Sequence, residues 1–279
     1  MRSMSGAAVN GKVIVITGGA RGIGLATATA LHNLGATVAI GDIDETSVKQ
    51  AGTDLDLGFY ARLDVTDRQS FTALLDNVER QLGPIDVLVN NAGICPAGRF
   101  LDEPDEVTSR AIAINLFGVI LGTKLAAERM VKRGSGHIIN IASLAAITPM
   151  PGIATYTGTK HAVLGYTDSV RLELRGTGVT ASTVMPTLTN TAMVDGTGTV
   201  PGFRNAQPEE IAAGIVGLIE KPKPRLGLTR RSAMLTAVMQ RFVPQRLNEA
   251  VRRALRVDAV FADADPDRRH EYEERARRS

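Results

Sequence analysis

The chain has 279 residues, 44 % of them hydrophobic, which is enough for one large core and one or two domains. Its net charge of +3 is concentrated in residues 230–279, where 12 Arg face 8 acids, so the remainder is close to neutral and no nucleic-acid partner is expected. The single cysteine, Cys95, excludes an intramolecular disulfide framework and fits a reducing compartment, and four scattered histidines (His32, His137, His161, His270) offer no metal-ligand cluster, so no metal is expected.

Residues 1–10 are small and polar, without an apolar stretch of signal-peptide length, and read as a disordered tail on a cytoplasmic protein. No stretch approaches the roughly 18 continuous apolar residues of a membrane span. The first apolar run predicts a buried strand over Val13–Thr17 that turns through Thr17-Gly-Gly-Ala-Arg-Gly-Ile-Gly24 into a helix over Ile23–Leu34. Gly18, Gly22 and Gly24 allow a tight turn, and the free amides and positive dipole end of the helix favour an anion, which marks a phosphate site. Their spacing of four and two departs from the two and three of the standard dinucleotide fingerprint. Arg21 and Ile23 lie within the turn, and Arg21 is placed where it could meet a 2′-phosphate.

The next strand, Thr37–Gly41, ends at Asp42, 18 residues beyond Gly24. A carboxylate there is placed to accept both ribose hydroxyls of an adenosine and to repel a 2′-phosphate, which predicts NAD over NADP. The alternative is that Asp42 caps the following helix, Asp44–Thr53. Further strands are predicted at Gly58–Leu63, Val87–Asn90, His137–Ile141, Thr180–Met185 and Arg225–Thr229, with helices at Asp67–Gln81, Asp105–Arg133, Ala154–Gly176 and Pro208–Glu220. Short continuous apolar strands alternating with helices predict an α/β fold, a doubly wound parallel sheet of about seven strands spanning residues 11–229.

Candidate chemistry gathers where strands end. Tyr156 and Lys160, four apart in a predicted helix, share a face. An ordinary tyrosine titrates near 10, so acid–base work near neutrality asks its surroundings to favour the phenolate by about 4 kcal/mol, and a neighbouring ammonium perturbs in that direction. Ser143 follows an apolar strand and reads either as a donor to a substrate oxygen or as a turn residue. Asn90-Asn-Ala-Gly93 ends another strand on the same edge, where small residues let the backbone pass near a ligand. Asn115, among Ile112, Ile114, Leu116 and Phe117, is either a helix kink satisfied by water or part of a proton relay.

Taken in order, Thr-Gly-x-x-x-Gly-x-Gly at 17–24, Asp64 after a strand, Asn-Asn-Ala-Gly at 90–93, Asn115, Ser143 and Tyr-x-x-x-Lys at 156–160 resemble the short-chain dehydrogenase/reductase family in its classical branch. The similarity covers about residues 10–229 and implies a Rossmann-type fold, hydride transfer between nicotinamide and an alcohol or ketone, and a homodimer or homotetramer built through the long helices around Asn115 and Tyr156. It also implies that Tyr156 is the general acid/base and that Lys160 holds the nicotinamide ribose and lowers the tyrosine pKa. Ser143 would orient the reacting oxygen, and Asn115 would position a water linking Lys160 to solvent. By the same resemblance Asp64 and Val65 contact the adenine, Asn91, Ala92 and Gly93 the adenosine ribose side, and Thr189 and Thr191 the carboxamide end. The family's usual Gly after Pro186 and Val at 189 are replaced by Thr187 and Thr189.

Residues 187–207, rich in Gly, Thr and Asn, are expected to fold over the substrate. Ala145, Ile147, Met150, Ile153, Met185, Leu188, Met193 and Val194 form an apolar rim that suits a steroid, retinoid, terpenol or long-chain alcohol, unless they are simply core. In the helical extension over residues 230–279, apolar residues Met234 to Phe242 and Leu247 to Ala254 are spaced as two amphipathic helices broken at Pro244. They are expected to pack on the body or a sister subunit, or to touch an anionic membrane. Residues 263–279 read as a solvated helix or frayed end. The leading reading is an NAD-dependent dehydrogenase of an apolar secondary alcohol. The alternatives are an NADPH-linked ketoreductase of the same fold and a non-catalytic NAD-sensing protein.

Overall fold

The computed structural model describes residues 8–198, 204–227, 244–254 and 258–278. Seven parallel strands form one sheet: β1 Val13–Thr17, β2 Thr37–Asp42, β3 Phe59–Arg62, β4 Val87–Asn90, β5 Gly136–Ile141, β6 Val179–Met185 and β7 Arg225–Gly227, in the spatial order β3-β2-β1-β4-β5-β6-β7. Its helices are α1 Gly22–His32, α2 Glu45–Asp54, α3 Arg68–Leu82, α4 Asp105–Ile112, α5 Gly118–Arg133, α6 Ala154–Glu173 and α7 Pro208–Glu220. Beyond them α8 Gln245–Ala254, α9 Ala259–Ala262 and α10 Pro266–Arg278 are described, whereas the predicted apolar stripe Met234 to Phe242 and the end of the predicted last strand lie outside the described residues.

The central strands are apolar throughout because helices cover both faces. Along β1, Ile14 and Ile16 point into the layer with Leu31, Ile211 and Ile215, while Val13 and Val15 point into the layer with Phe71, Leu75 and Leu121. Asp44 caps α2 by accepting from Ser47 N at 3.0 Å, and Asp67 caps α3 by accepting from Gln69 and Ser70. A reciprocal box of Gln207 and Glu210, with Pro208, starts α7.

The predicted single helix over Asp105–Arg133 is one continuous helical run with a π-helical turn, Ala113–Phe117, inserted around Asn115. By length and composition this run could cross a membrane, but 56 % of its apolar window is buried inside the fold, where Leu121, Leu125 and Met130 pack against the sheet. The reading of residues 263–279 as a solvated or frayed end is corrected here: α10 packs on the body, with Arg269 2 % and Ala276 6 % exposed. Its Arg-rich composition hid the buried face, because a paired arginine inside the fold looks like any surface charge in the sequence.

Candidate active site

The strand order reverses beside β1, whose neighbours are β2 and β4, and the loops leaving β1 and β4 part at that point. Thr17, at the end of β1, ties the two loops together, its Oγ1 accepting from Asn91 N at 3.0 Å and Ala92 N at 3.1 Å. Asn91 Nδ2 returns two bonds of 3.0 Å to the carbonyls of Thr17 and Gly18. The glycine turn is therefore braced from behind by Asn91 and Ala92. Gly18 and Gly22 hold φ of +63° and +54°, and a Cβ on Gly24 would stand 2.1 Å from the Gly18 carbonyl oxygen. Thr191 closes the other side, with its methyl 3.2 Å from where a Gly22 Cβ would lie.

The start of α1, like that of α6, carries no side-chain cap and no acid in its first turn. Its amides around Gly22, Ile23 and Gly24 are left for an external acceptor, which fits the pyrophosphate of a dinucleotide. Asp42 is 8 % exposed, at the carboxyl end of β2; its Oδ2 accepts from Ala20 N at 3.1 Å and its Oδ1 from Asp44 N at 3.2 Å. Burial raises its pKa above the ordinary carboxylate value, against the pull of those two amides. The helix cap is Asp44 rather than Asp42. Arg21 pairs with Asp44 at 2.5 Å and with Ser47 Oγ at 3.1 Å, so in this structure its guanidinium is engaged at the start of α2. Asp64 Oδ1 accepts from Thr66 N and Oγ1, and Val65 packs against Gly118.

On the other side of the switch point, β5 ends beside β6 and delivers Ser143. Ser143 Oγ accepts from Ala145 N at 3.1 Å, and the hydroxyl is near enough to Tyr156 to favour its phenolate. One turn along α6, Lys160 Nζ lies 5.6 Å from the centre of the Tyr156 ring and donates to the Ile141 carbonyl at 2.9 Å. Both side chains are buried. Burial moves the Lys160 ammonium down to about 8, and burial, followed by the nearby Cys95, pushes the Tyr156 phenol above its ordinary value, with the Ser143 hydroxyl opposing. In the protein taken alone, burial is thus the largest influence on the phenol.

Asn115 is fully buried, and the π-helical turn aims its amide at the β4 loop. Oδ1 accepts from Ile94 N at 2.8 Å, while Nδ2 donates to Ile94 O at 2.8 Å and to Thr159 Oγ1 at 3.3 Å. In the structure its side chain clamps the Ile94 backbone. Gly93 is squeezed between the two groups: a Cβ there would lie 3.1 Å from Asn115 Oδ1 and 3.5 Å from Lys160 Nζ. Thr189 is buried, its Oγ1 bonded to the Thr187 carbonyl at 2.8 Å, and its backbone bridges to Ala206, so this stretch folds back on itself.

Over residues 12–199 the chain matches the sequence profile of the family described as short chain dehydrogenase. The chain belongs to that family. It is 38 % identical over 193 residues to the 3-alpha-(or 20-beta)-hydroxysteroid dehydrogenase of Mycobacterium tuberculosis, covering 69 % of this chain and 74 % of that one. It is 36 % identical over 214 residues to the 2,5-dichloro-2,5-cyclohexadiene-1,4-diol dehydrogenase LinX of Sphingobium indicum, covering 74 % and 84 %. A probable oxidoreductase, EphD, of Mycobacterium tuberculosis is 34 % identical over 264 residues, and the match takes in 86 % of this chain but only 44 % of that relative's length. A short chain dehydrogenase/reductase from Burkholderia phymatum, solved in complex with NAD, shares the fold with a TM-score of 0.77 over 83 % of this chain and 93 % of its own, at 22 % identity.

Of the predicted apolar rim, Ala145, Met150, Ile153, Leu188 and Met193 meet Tyr156 in one cluster. Ile147 and Met185 belong instead to a neighbouring cluster with Val163 and Leu164, and Val194 is partly exposed in neither. Four members of the Tyr156 cluster were not anticipated: Cys95, Ala97, Val260 and Phe261. The apolar run Ala259-Val-Phe-Ala262 is the one sequence signal that could have found the last two. Also missed is a buried polar chain under the site, in which Asn90 Nδ2 donates to Asn140 Oδ1 at 2.8 Å and Asn140 Nδ2 to Thr167 Oγ1 at 2.9 Å.

Proposed function

We propose that this protein is an NAD-dependent oxidoreductase acting on a secondary alcohol or ketone with an apolar body. The observation that carries the reading is the joined set Ser143, Tyr156 and Lys160, facing the same strand edge as an uncapped, glycine-turned helix start. Asp42 and Asp44 set two carboxylates where a 2′-phosphate would otherwise be tolerated, which supports NAD over NADP. Arg21, paired to Asp44, would have to leave that partner to serve a phosphate.

A bound nicotinamide supplies the acceptor or donor of hydride. Tyr156 exchanges the hydroxyl proton of the substrate, and Ser143 Oγ steadies the oxygen on which charge develops. Lys160 holds its positive charge within the buried site, where it opposes the cost of forming phenolate. Asn115 acts on the site through Ile94, fixing the β4 loop beside Gly93. The mainly apolar surroundings of Tyr156 suit a ring or long-chain alcohol, and the steroid and cyclic-diol dehydrogenases among the relatives agree with that class. Exposed Ile112, Phe117 and Leu172 on the α4 to α6 helices supply apolar surface for a dimer or tetramer.

NADH fluorescence followed over a panel of steroid, terpenol, retinoid and aliphatic alcohols tests the reading, with Tyr156→Phe as control. The expected result is turnover that disappears in the variant while NADH binding persists. Substantial turnover by Tyr156→Phe would remove the role given to the phenol, and tight NAD binding without turnover of any alcohol or ketone would point to a sensor.

A further inference from the structure

The family profile ends at residue 199, yet Tyr156 packs in one cluster with side chains that come from residues 258–278. Val260 and Phe261 are 2 % and 5 % exposed and belong to the cluster of Tyr156, Ala145 and Ile153. Contact is close enough that a Cβ on Gly152 would stand 2.5 Å from Ala262 N and 2.6 Å from the Phe261 carbonyl carbon. The same segment is bonded to the loop after β6, through Gly198 N to Val260 O at 2.8 Å and Asp265 N to Gly196 O at 2.9 Å.

A second set of contacts holds this segment in place. Arg269, 2 % exposed, donates to the carbonyls of Cys95 at 2.9 Å, Met193 at 3.1 Å and Asp195 at 3.3 Å, and so joins the loop after β4 to the loop after β6. Its charge is balanced by Glu273, at 2.9 Å, which also accepts from Ala97 N at 3.3 Å. Tyr272 lies under the guanidinium, ring centre 5.1 Å away, and its hydroxyl accepts from Cys95 N at 2.7 Å. A buried guanidinium whose donors meet several carbonyls and a carboxylate fixes a geometry that a flexible tail would not hold.

We infer that residues 258–278 form the substrate-selecting wall of the active site: Val260 and Phe261 limit the bulk of the alcohol that can reach Tyr156, and Arg269 is the positioning residue that holds them there. The inference rests on the proposed dehydrogenase reading for its kinetic arm. Its structural arm does not, because Cys95, the sole cysteine, is buried under the same contacts and reports on them directly.

The full chain is assayed with cyclohexanol and with a fused-ring 3-hydroxysteroid, and separately titrated with a thiol-reactive dye. Phe261→Ala should raise kcat/KM for the steroid relative to cyclohexanol by tenfold or more, with NADH affinity unchanged. Arg269→Met should move the same substrate ratio in the same direction, several-fold, while the KM for NAD stays put, and should speed labelling of Cys95 at least tenfold. Phe261→Leu and Tyr272→Phe are milder versions that keep the test alive if the first pair fold poorly. An unchanged substrate ratio in both Phe261 variants, in an active enzyme, overturns the wall. Unchanged Cys95 labelling in folded Arg269→Met and Tyr272→Phe overturns the positioning role of Arg269. If the wild type turns over neither alcohol, the dehydrogenase reading fails first, and thiol labelling alone then decides whether the segment is held as inferred.

Discussion

Replacing Lys160 by Met should separate the stability cost of the active-site charge from its use. Met keeps an unbranched stem and drops the ammonium. Between an ordinary value of 10.5 and about 8 in the fold, at about 1.4 kcal/mol per pH unit, burying the charged form costs about 3 kcal/mol below pH 8. The unfolded chain binds more protons than the folded one between those two values, so this penalty fades as pH rises from about 8 to 10.5, and the wild type gains stability over that window. The variant has no such gain. At pH 7 it should match or exceed the wild type, because losing the bond from Nζ to Ile141 O costs roughly 1–3 kcal/mol and offsets part of the relief. By pH 10 the balance should have moved towards the wild type by about 2–3 kcal/mol. Urea unfolding of both proteins at pH 7, 8.5 and 10 measures this difference, and titrations common to the two cancel. Stability curves that stay parallel over that range would refute the claim that Lys160 is held charged against burial.

Asp42→Ala should weaken NAD much more than NADP, read from the two Michaelis constants; equal losses would mean that the carboxylate only braces Ala20 and Asp44. Gly24→Ala drives a methyl into the Gly18 carbonyl and should abolish NADH binding by calorimetry, with the far-ultraviolet spectrum retained. His137 is buried against Ser182 Oγ at 2.8 Å, and burial lowers it to about 4, so the folded state resists its protonation and stability should fall as pH drops from about 6.5 to 4. In His137→Gln that portion of the acid sensitivity, about 3 kcal/mol at roughly 1.4 kcal/mol per pH unit, should be absent from urea midpoints compared at pH 7 and 4.5. Asn140→Leu leaves the Asn90 amide and Thr167 without their partner and should lower stability by about 2–4 kcal/mol.

The seven strands were legible because each central one is a short apolar run closed by a turn, and parallel pairing buries both faces alike. Asp42, Ser143, Tyr156 and Lys160 were legible for a related reason: strand ends and helical spacing are local properties, and a parallel sheet puts all its strand ends on one edge. What Asn115 does was not legible, since its partner is the backbone of Ile94, 21 positions away, and a backbone group leaves no trace in side-chain types. How deeply the phenol and the amine are buried was not legible either, because spacing shows the pair but not how little water surrounds it. Arg269 was hidden most thoroughly. Nothing in Arg-Arg-His-Glu-Tyr-Glu tells which arginine turns inward.

The reach of Arg269 to Cys95 spans 174 positions, whereas the glycine turn and its Asn91 brace involve segments that meet early along the chain. Closing so long a loop carries an entropic cost that only the finished sheet can offset. Floor and roof of the reaction chamber are consequently separable in time: a molecule recovering from denaturation should regain its grip on dinucleotide before it regains turnover. Mild heating or a protease acting near residue 258 should strip away those gains in the reverse order.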